Sequence, residues 1–230
     1  MKRSDINAII RDADAFIKAR GFYLPSFAYW TPEEWCTKGE EAYEIVENHL
    51  GWDITDFGLG NYRKHGLFLF TVRNGNPANL ITMRGKIYAE KLMIVDEHQI
   101  TPMHFHWSKM EDIINRGGGN LVIQVHNATP EGQLATSNVT VSVDSVVQIV
   151  PAGTHIVLEP GQSLSVPVGL YHEFTAQGGR VLVGEVSMVN DDDTDNRFLD
   201  HAGRFPAIQE DEPPLYLLCT DYSKYYHPRS

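Results

Sequence analysis

Cysteine, positive charge and long apolar runs are all scarce in this sequence, and each shortage excludes something. Its 230 residues include two cysteines, Cys36 and Cys219, whose separation matches no metal or redox spacing. Neither a disulfide framework nor a thiolate zinc site is therefore expected, and both cysteines read as ordinary buried thiols. Lysine and arginine number 19 against 30 acidic residues, a net charge of -11. Such a surface repels a phosphate backbone and an anionic membrane alike, so nucleic acid and membrane drop out as partners; neutral and cationic ligands stay open. No stretch approaches the roughly 20 apolar residues of a membrane-crossing helix. The basic start, Met1-Lys2-Arg3, runs into Arg11, Asp12, Asp14 and Lys18 rather than into the apolar core of a signal peptide. A soluble cytoplasmic protein is the expectation, and the sequence has no internal repeat.

What is present is enough for one domain: 42% of the residues are hydrophobic, and all-β domains of this length commonly stay single. The texture divides into a helical extension over residues 1–60, a β-barrel core over 61–190 and an irregular wrap over 191–230. Ser4 is a good N-cap, and Ile6, Ile9, Ile10, Ala13, Phe16 and Ile17 recur at the spacing of one helical face that Gly21 ends. Thr31-Pro32-Glu33-Glu34 repeats the start signal and predicts a second helix running to about Gly51. From residue 66 onward the pattern changes to short β-branched or alternating segments: 67–72, 87–95, 121–125, 139–143, 146–150, 163–168 and 181–189. Many short strands without intervening helices mean an all-β sandwich or barrel.

Chemistry concentrates in Pro102-Met103-His104-Phe105-His106-Trp107-Ser108-Lys109-Met110-Glu111. His104 and His106 are two apart, so on a strand both imidazoles leave the same face, and a turn then returns Glu111. An H-x-H alone decides little, because strands carry histidines without metal. A second stretch, Gly161 to His172, places glycines and Pro167 in a tight turn before His172 opens a strand.

Together the two stretches resemble the cupin family. Its first motif, G-x5-H-x-H-x(3,4)-E-x6-G, is met by His104, His106, Glu111 and Gly118, with His98 in place of the leading glycine. Its second, G-x5-P-x-G-x2-H-x3-N, is met by Gly161, Pro167, Gly169 and His172, with Ala176 where asparagine is usual. The resemblance implies a jelly-roll-like cupin β-barrel in which His104, His106, Glu111 and His172 hold one divalent ion, and it implies a homodimer. Three imidazoles and one carboxylate leave open positions on an octahedral ion, which favours Mn(II), Fe(II), Co(II) or Ni(II) over a closed structural zinc; Mn(II) is the ion expected, with Fe, Co, Ni and Zn as alternatives.

The run His104 to Gly119, the segment Gly184-Glu185-Val186-Ser187, Val189 to Asp192, Asp195 to Phe198 and Trp30-Thr31-Pro32 are further similar to the D-lyxose isomerases, a cupin group of comparable length. That resemblance implies a monosaccharide substrate, D-lyxose going to D-xylulose and D-mannose to D-fructose. Such a reaction moves a proton between C1 and C2, and it needs a cation against the developing charge and a base at the carbon. Glu185 is the leading base, sharing a strand face with Val181, Val183 and Ser187, although a solvent-facing glutamate fits the same pattern. Lys91 is a second catalytic candidate if it faces inward. Lys109 is expected at the mouth of the site, Asp195 and Arg197 suit sugar hydroxyls, and Glu210 is a weaker acid/base candidate. The same four ligands would also serve an Fe(II) dioxygenase, a Mn decarboxylase or a non-catalytic sugar-binding cupin. The absence of an evident Arg/Lys cluster near the motifs favours an unphosphorylated sugar.

Two signals point elsewhere and are set aside. Asp191, Asp193 and Asp195 alternate like a calcium loop, but Asn196 and Ala202 replace its glycine and final glutamate. Gly117-Gly118-Gly119 lacks the Lys-Ser/Thr of a phosphate loop and reads as the turn closing the first motif.

Overall fold

A computed structural model describes residues 1–189, 191, 192, 194–200, 203 and 207–228. Its strands are β1 (Gly51–Thr55), β2 (Leu67–Arg73), β3 (Tyr88–Val95), β4 (Thr101–His106), β5 (Glu111–Asn127), β6 (Val139–Val143), β7 (Val146–Val150), β8 (His155–Leu158), β9 (Ser163–Val166), β10 (Leu170–Met188) and β11 (Asn196–Phe198). Every pairing between them is antiparallel. The barrel closes because β5 and β10 are long enough, at 17 and 19 residues, to serve two layers each. Residues 170–177 of β10 pair with 120–127 of β5 and with β4, whereas residues 181–188 pair with the opening half of β5 and with β3.

The bend between these halves falls on glycine. Gly118 has φ of +115°, and a Cβ there would stand 2.0 Å from the carbonyl oxygen of Arg180 on the facing strand. Only a residue without a side chain lets the two backbones approach so closely. The Gly117–Gly119 run is thus a bend inside β5 rather than the turn the sequence implied. At the head of the first motif His98 adopts φ of +63°, which accounts for a position where glycine is usual; histidine is among the residues that tolerate it.

The barrel interior is apolar, built from the inward alternation of each strand, with Leu67, Leu69, Met93, Ile113, Ile123, Leu164, Phe174 and Val181 among its members. β2 reads as a continuous apolar run because both of its faces are covered. Phe68, Phe70 and Val72 turn outward to meet Ile6, Ile10, Ala13 and Ile17 of helix α1 (Arg3–Ala19), together with Trp52, Leu92 and Leu182. Burying three isoleucines completely contributes roughly 5–9 kcal/mol before the entropy of ordering the helix is set against it.

Several local expectations change. α1 begins two residues early, with Lys2 at the cap, and the Ser4 hydroxyl instead donates to Asp211 Oδ2 at 2.7 Å. What anchors the start is Arg3, 1% exposed, which donates to Asp221 and Glu210 of the C-terminal segment. Glu210 is thereby engaged away from the barrel and is no acid/base group. The second helix forms its capping box at Thr31 but lasts one turn, Pro32–Trp35. Trp35 leaves that turn to pack edge-on against Trp30 and Tyr226, and Gly39 is extended before short turns at Glu40–Ala42 and Tyr43–Glu47. The 1–60 extension also contributes β1 to the sheet. Cys219 is buried as expected, but Cys36 is exposed. Among the described residues no helix is long and apolar enough to cross a membrane. The calcium-loop reading involves Asp193 and Ala202, which lie outside the described residues.

Candidate metal centre and acid–base cluster

β4 carries His104 and His106 inward and Phe105 outward against Trp107 and Tyr171. His172 on β10 stands opposite His104 in register, their rings 4.2 Å apart. Glu111, the first residue of β5, places Oε1 3.4 Å from His106 Nε2 and 3.2 Å from His172 Nε2. Ligand atoms of the three histidines all lie within 4.8 Å of one another, and all four residues are buried.

The hydrogen bonds decide which ring nitrogens face the centre. Nδ1 of His104 lies 2.8 Å from the Pro102 carbonyl and Nδ1 of His172 lies 3.0 Å from that of Leu170. A carbonyl only accepts, so each Nδ1 donates and each Nε2 is left with a bare lone pair. His172 Nε2 is buried without a hydrogen-bond partner. A lone pair facing a carboxylate oxygen at 3.2 Å is repulsive unless a cation lies between them, and that separation suits neighbouring donors on one ion. Burial pushes His104 well below its ordinary value, helped by His172 and His106, and burial followed by the Lys109 ammonium lowers His106. For Glu111, burial alone would raise the carboxyl, but Lys109 and then His106 outweigh it and hold it well below the usual range. Neutral imidazoles and an ionised carboxylate are the donor set a divalent ion requires, so the residues present fit one.

Behind this centre lies a buried charge chain. Lys109 donates to Glu185 Oε1 at 2.8 Å and stands 2.5 Å from Glu111 Oε2. Burial works to lower the Lys109 ammonium, but Glu111, Glu185 and Asp192 outweigh it and raise it. Glu185 Oε1 also accepts from Ser187 Oγ at 2.9 Å and lies 3.5 Å from Lys91 Nζ, and Lys91 donates to Asp192 at 3.0 Å. Lys91 and Glu185 face each other across β3 and β10, and both point inward. Lys109 is not at a mouth; 2% exposed, it is the link between Glu111 and Glu185.

Asp195 occupies a supporting position. Its Oδ1 accepts from Ser108 N at 2.8 Å and Ser108 Oγ at 2.6 Å, and its Oδ2 stands 3.8 Å from His106 Nδ1. Neither that oxygen nor that nitrogen has a hydrogen-bond partner. Arg197 lies outside the site. It pairs in register with outward-facing Phe105, so its side chain is carried to the outer surface, where Nη1 donates to the Phe198 carbonyl. Its neighbours Asn196 and Phe198, opposite His106 and His104, face in. Sequence reasoning passed over these two and Asp192; the register of β11 on β4 is what separates Asn196 and Phe198 from Arg197. The four histidine and glutamate groups, the two lysines and Glu185 line one cavity, whose opposite wall is apolar, with Leu67, Leu69, Met93, Phe174 and Phe198.

A sequence profile described as D-lyxose isomerase matches residues 1–222. The chain is 47% identical over 228 residues to a D-lyxose/D-mannose isomerase of Escherichia coli O157:H7, covering 98% of this chain and all of that protein. It is 46% identical to a D-lyxose/D-mannose isomerase of Serratia proteamaculans, covering 98% and 99%. Among solved structures, an L-ribose isomerase of Cellulomonas parahominis superposes with a TM-score of 0.57 at 16% identity, over 91% of this chain and 98% of that one, a likeness of fold. Near-complete coverage of both chains at almost half identity leaves one conclusion: the chain belongs to the D-lyxose isomerase family and is a sugar isomerase.

Proposed function

We propose that this protein interconverts D-lyxose with D-xylulose, and D-mannose with D-fructose, by proton transfer between C1 and C2 at a divalent metal, with Mn(II) the preferred ion. The observation that carries the reading is the meeting, in one cavity, of a four-residue metal donor set with the Lys109–Glu185–Lys91 chain. His104, His106, Glu111 and His172 hold the ion, which when bound supplies Lewis-acid polarisation of the C1 and C2 oxygens.

The remaining work falls to the chain's own groups. The Glu185 carboxylate takes the proton from C2 of the aldose and returns it to C1. Lys91, 3.5 Å from that carboxylate, donates to a neighbouring sugar oxygen as charge gathers there. Lys109 keeps Glu111 and Glu185 apart in charge while both stay aimed at the cavity. Both cavity lysines are already engaged with carboxylates, which supports a neutral sugar over a phosphosugar dianion.

The test is a panel of D-lyxose, D-mannose and D-xylose incubated with metal-loaded protein in deuterated water. Ketose should form from the first two, with deuterium at the exchanging carbon and no oxygen consumed. Absence of ketose from every sugar would overturn the reading, and ketose without deuterium would replace proton transfer by hydride shift.

A further inference from the structure

The inner face of the barrel continues past the metal cavity. On β2, Leu67 and Leu69 line that cavity, and Thr71, next in the two-residue period, lines a second one. Asp53, paired with Leu69 on the neighbouring β1, joins it there. This outer cavity is the larger of the two, and its lining is mostly polar where the far wall of the inner one is apolar. It runs from an exposed rim at Glu47, His49 and Asn76 to a buried floor at Asp53, Thr71 and Asn74. A ring carrying hydroxyls on every side is suited to such a space.

The junction of the two cavities is a charge pair. Asp192 lines both, and its two carboxylate oxygens lie 3.0 and 3.2 Å from Lys91 Nζ. Lys91 is buried and stands in register with Thr71, so it marks the point where the polar lining gives way to the metal cavity. Glu185 lies on the inner side, 3.5 Å from the same Nζ. An acid and a base thus meet side by side between a polar space and the metal centre, which is where a closed sugar must change form. In water an aldose is almost entirely a cyclic hemiacetal, whereas proton transfer between C1 and C2 needs the open-chain aldehyde.

We infer that Asp192 and Lys91 open the sugar ring, which gives this protein an anomer-exchange activity separate from isomerisation. The Asp192 carboxylate takes the proton of the C1 hydroxyl, and C1 and O1 become a carbonyl. The bond between C1 and the ring oxygen breaks, its electron pair goes to that oxygen, and the oxygen takes a proton from the Lys91 ammonium. The proton on Asp192 then crosses its hydrogen bond to the Lys91 amine, and both groups are as they began. No oxidant, reductant or co-reactant is consumed. The freed aldehyde emerges beside Glu185, and closure after the carbonyl has turned over yields the other anomer.

The substrate class, a neutral aldose, rests on the isomerase reading, so the test is one that needs no ketose. Crystalline α-D-mannose is dissolved with metal-loaded Glu185→Gln protein, and the optical rotation is followed to equilibrium. Relaxation should be faster than in buffer, in proportion to protein concentration. Asp192→Asn and Lys91→Met, each added to that background, should return it to the buffer rate with circular dichroism and bound metal unchanged. Relaxation no faster than in buffer for Glu185→Gln, or an acceleration that survives both further substitutions, would overturn the proposal. A parent protein that speeds anomer exchange and makes no ketose would overturn the isomerase reading alone.

Discussion

Glu185 accepts from Lys109 and Ser187 through one oxygen, with Lys91 nearby. Replacing it by glutamine keeps size and hydrogen bonding but removes the base, so kcat should fall about 10²–10⁴-fold while the metal stays bound; metal analysis alongside the rates separates these effects. Asp195 makes a different prediction. Its Oδ2 and His106 Nδ1 are two unsatisfied buried atoms 3.8 Å apart, the arrangement by which a carboxylate orients a metal-binding imidazole. Asp195→Asn should therefore weaken metal affinity about 10–100-fold, as read by calorimetric titration of the apoprotein, with little change in KM at saturating metal. At this scale spacing showed which residues share a face. It showed His104 and His106 together because a period of two survives any strand geometry. It could not show that Arg197 turns outward, because β11 is three residues long and its register is set by pairing with β4. Nor could it show that Lys109 is buried, since that depends on Glu185, 76 residues further along the chain.

At the scale of elements, α1 and the C-terminal segment hold each other through Arg3. Asp221 is 2% exposed on its side chain, and Arg3→Met leaves that buried carboxylate with only the Leu218 amide and the exposed Lys224 ammonium at 3.7 Å, so the change should cost roughly 3 kcal/mol in urea unfolding. Glu210 adds a pH signature. Its hydrogen bond from Arg3 lowers its carboxyl below the ordinary value of 4.5. A depressed acid contributes stability that is fully present above its unfolded value and is lost as pH falls through its folded one. The gap between parent and Arg3→Met midpoints should therefore hold steady from pH 7 to about 5 and narrow below 4.5. Ile10→Ala, in the middle of the helix face, should cost about 2–5 kcal/mol. The apolar face of α1 and most strands were legible because their periodicity is local. The break-up of the second helix was not: its capping box is genuine, but Trp35 is held by Trp30 and by the aromatics of the C-terminal segment, a contact no local pattern records. β1 was hidden for a related reason. Buried on both faces, Gly51–Thr55 carries no alternation to distinguish it from the end of a helix.

For the whole molecule, the metal centre joins β4, β5 and β10, so an ion bound there ties both layers of the barrel. Among the described residues, the carboxylates Glu111, Glu185, Asp192 and Asp195 outnumber the Lys91 and Lys109 ammonium groups beside them, a surplus of negative charge that favours a divalent ion. An ion at 1,000 times its dissociation constant contributes about 4 kcal/mol, so chelation should lower Tm by about 8–16 °C in a chain of this size, reversibly on adding Mn(II). The most direct measurement is an anomalous difference map from a crystal of the Mn(II)-loaded protein. One peak is predicted at bonding distance, about 2.0–2.3 Å, from Nε2 of His104, His106 and His172 and from a Glu111 carboxylate oxygen. A peak elsewhere, or a His172 imidazole turned away from the other three, would contradict the account.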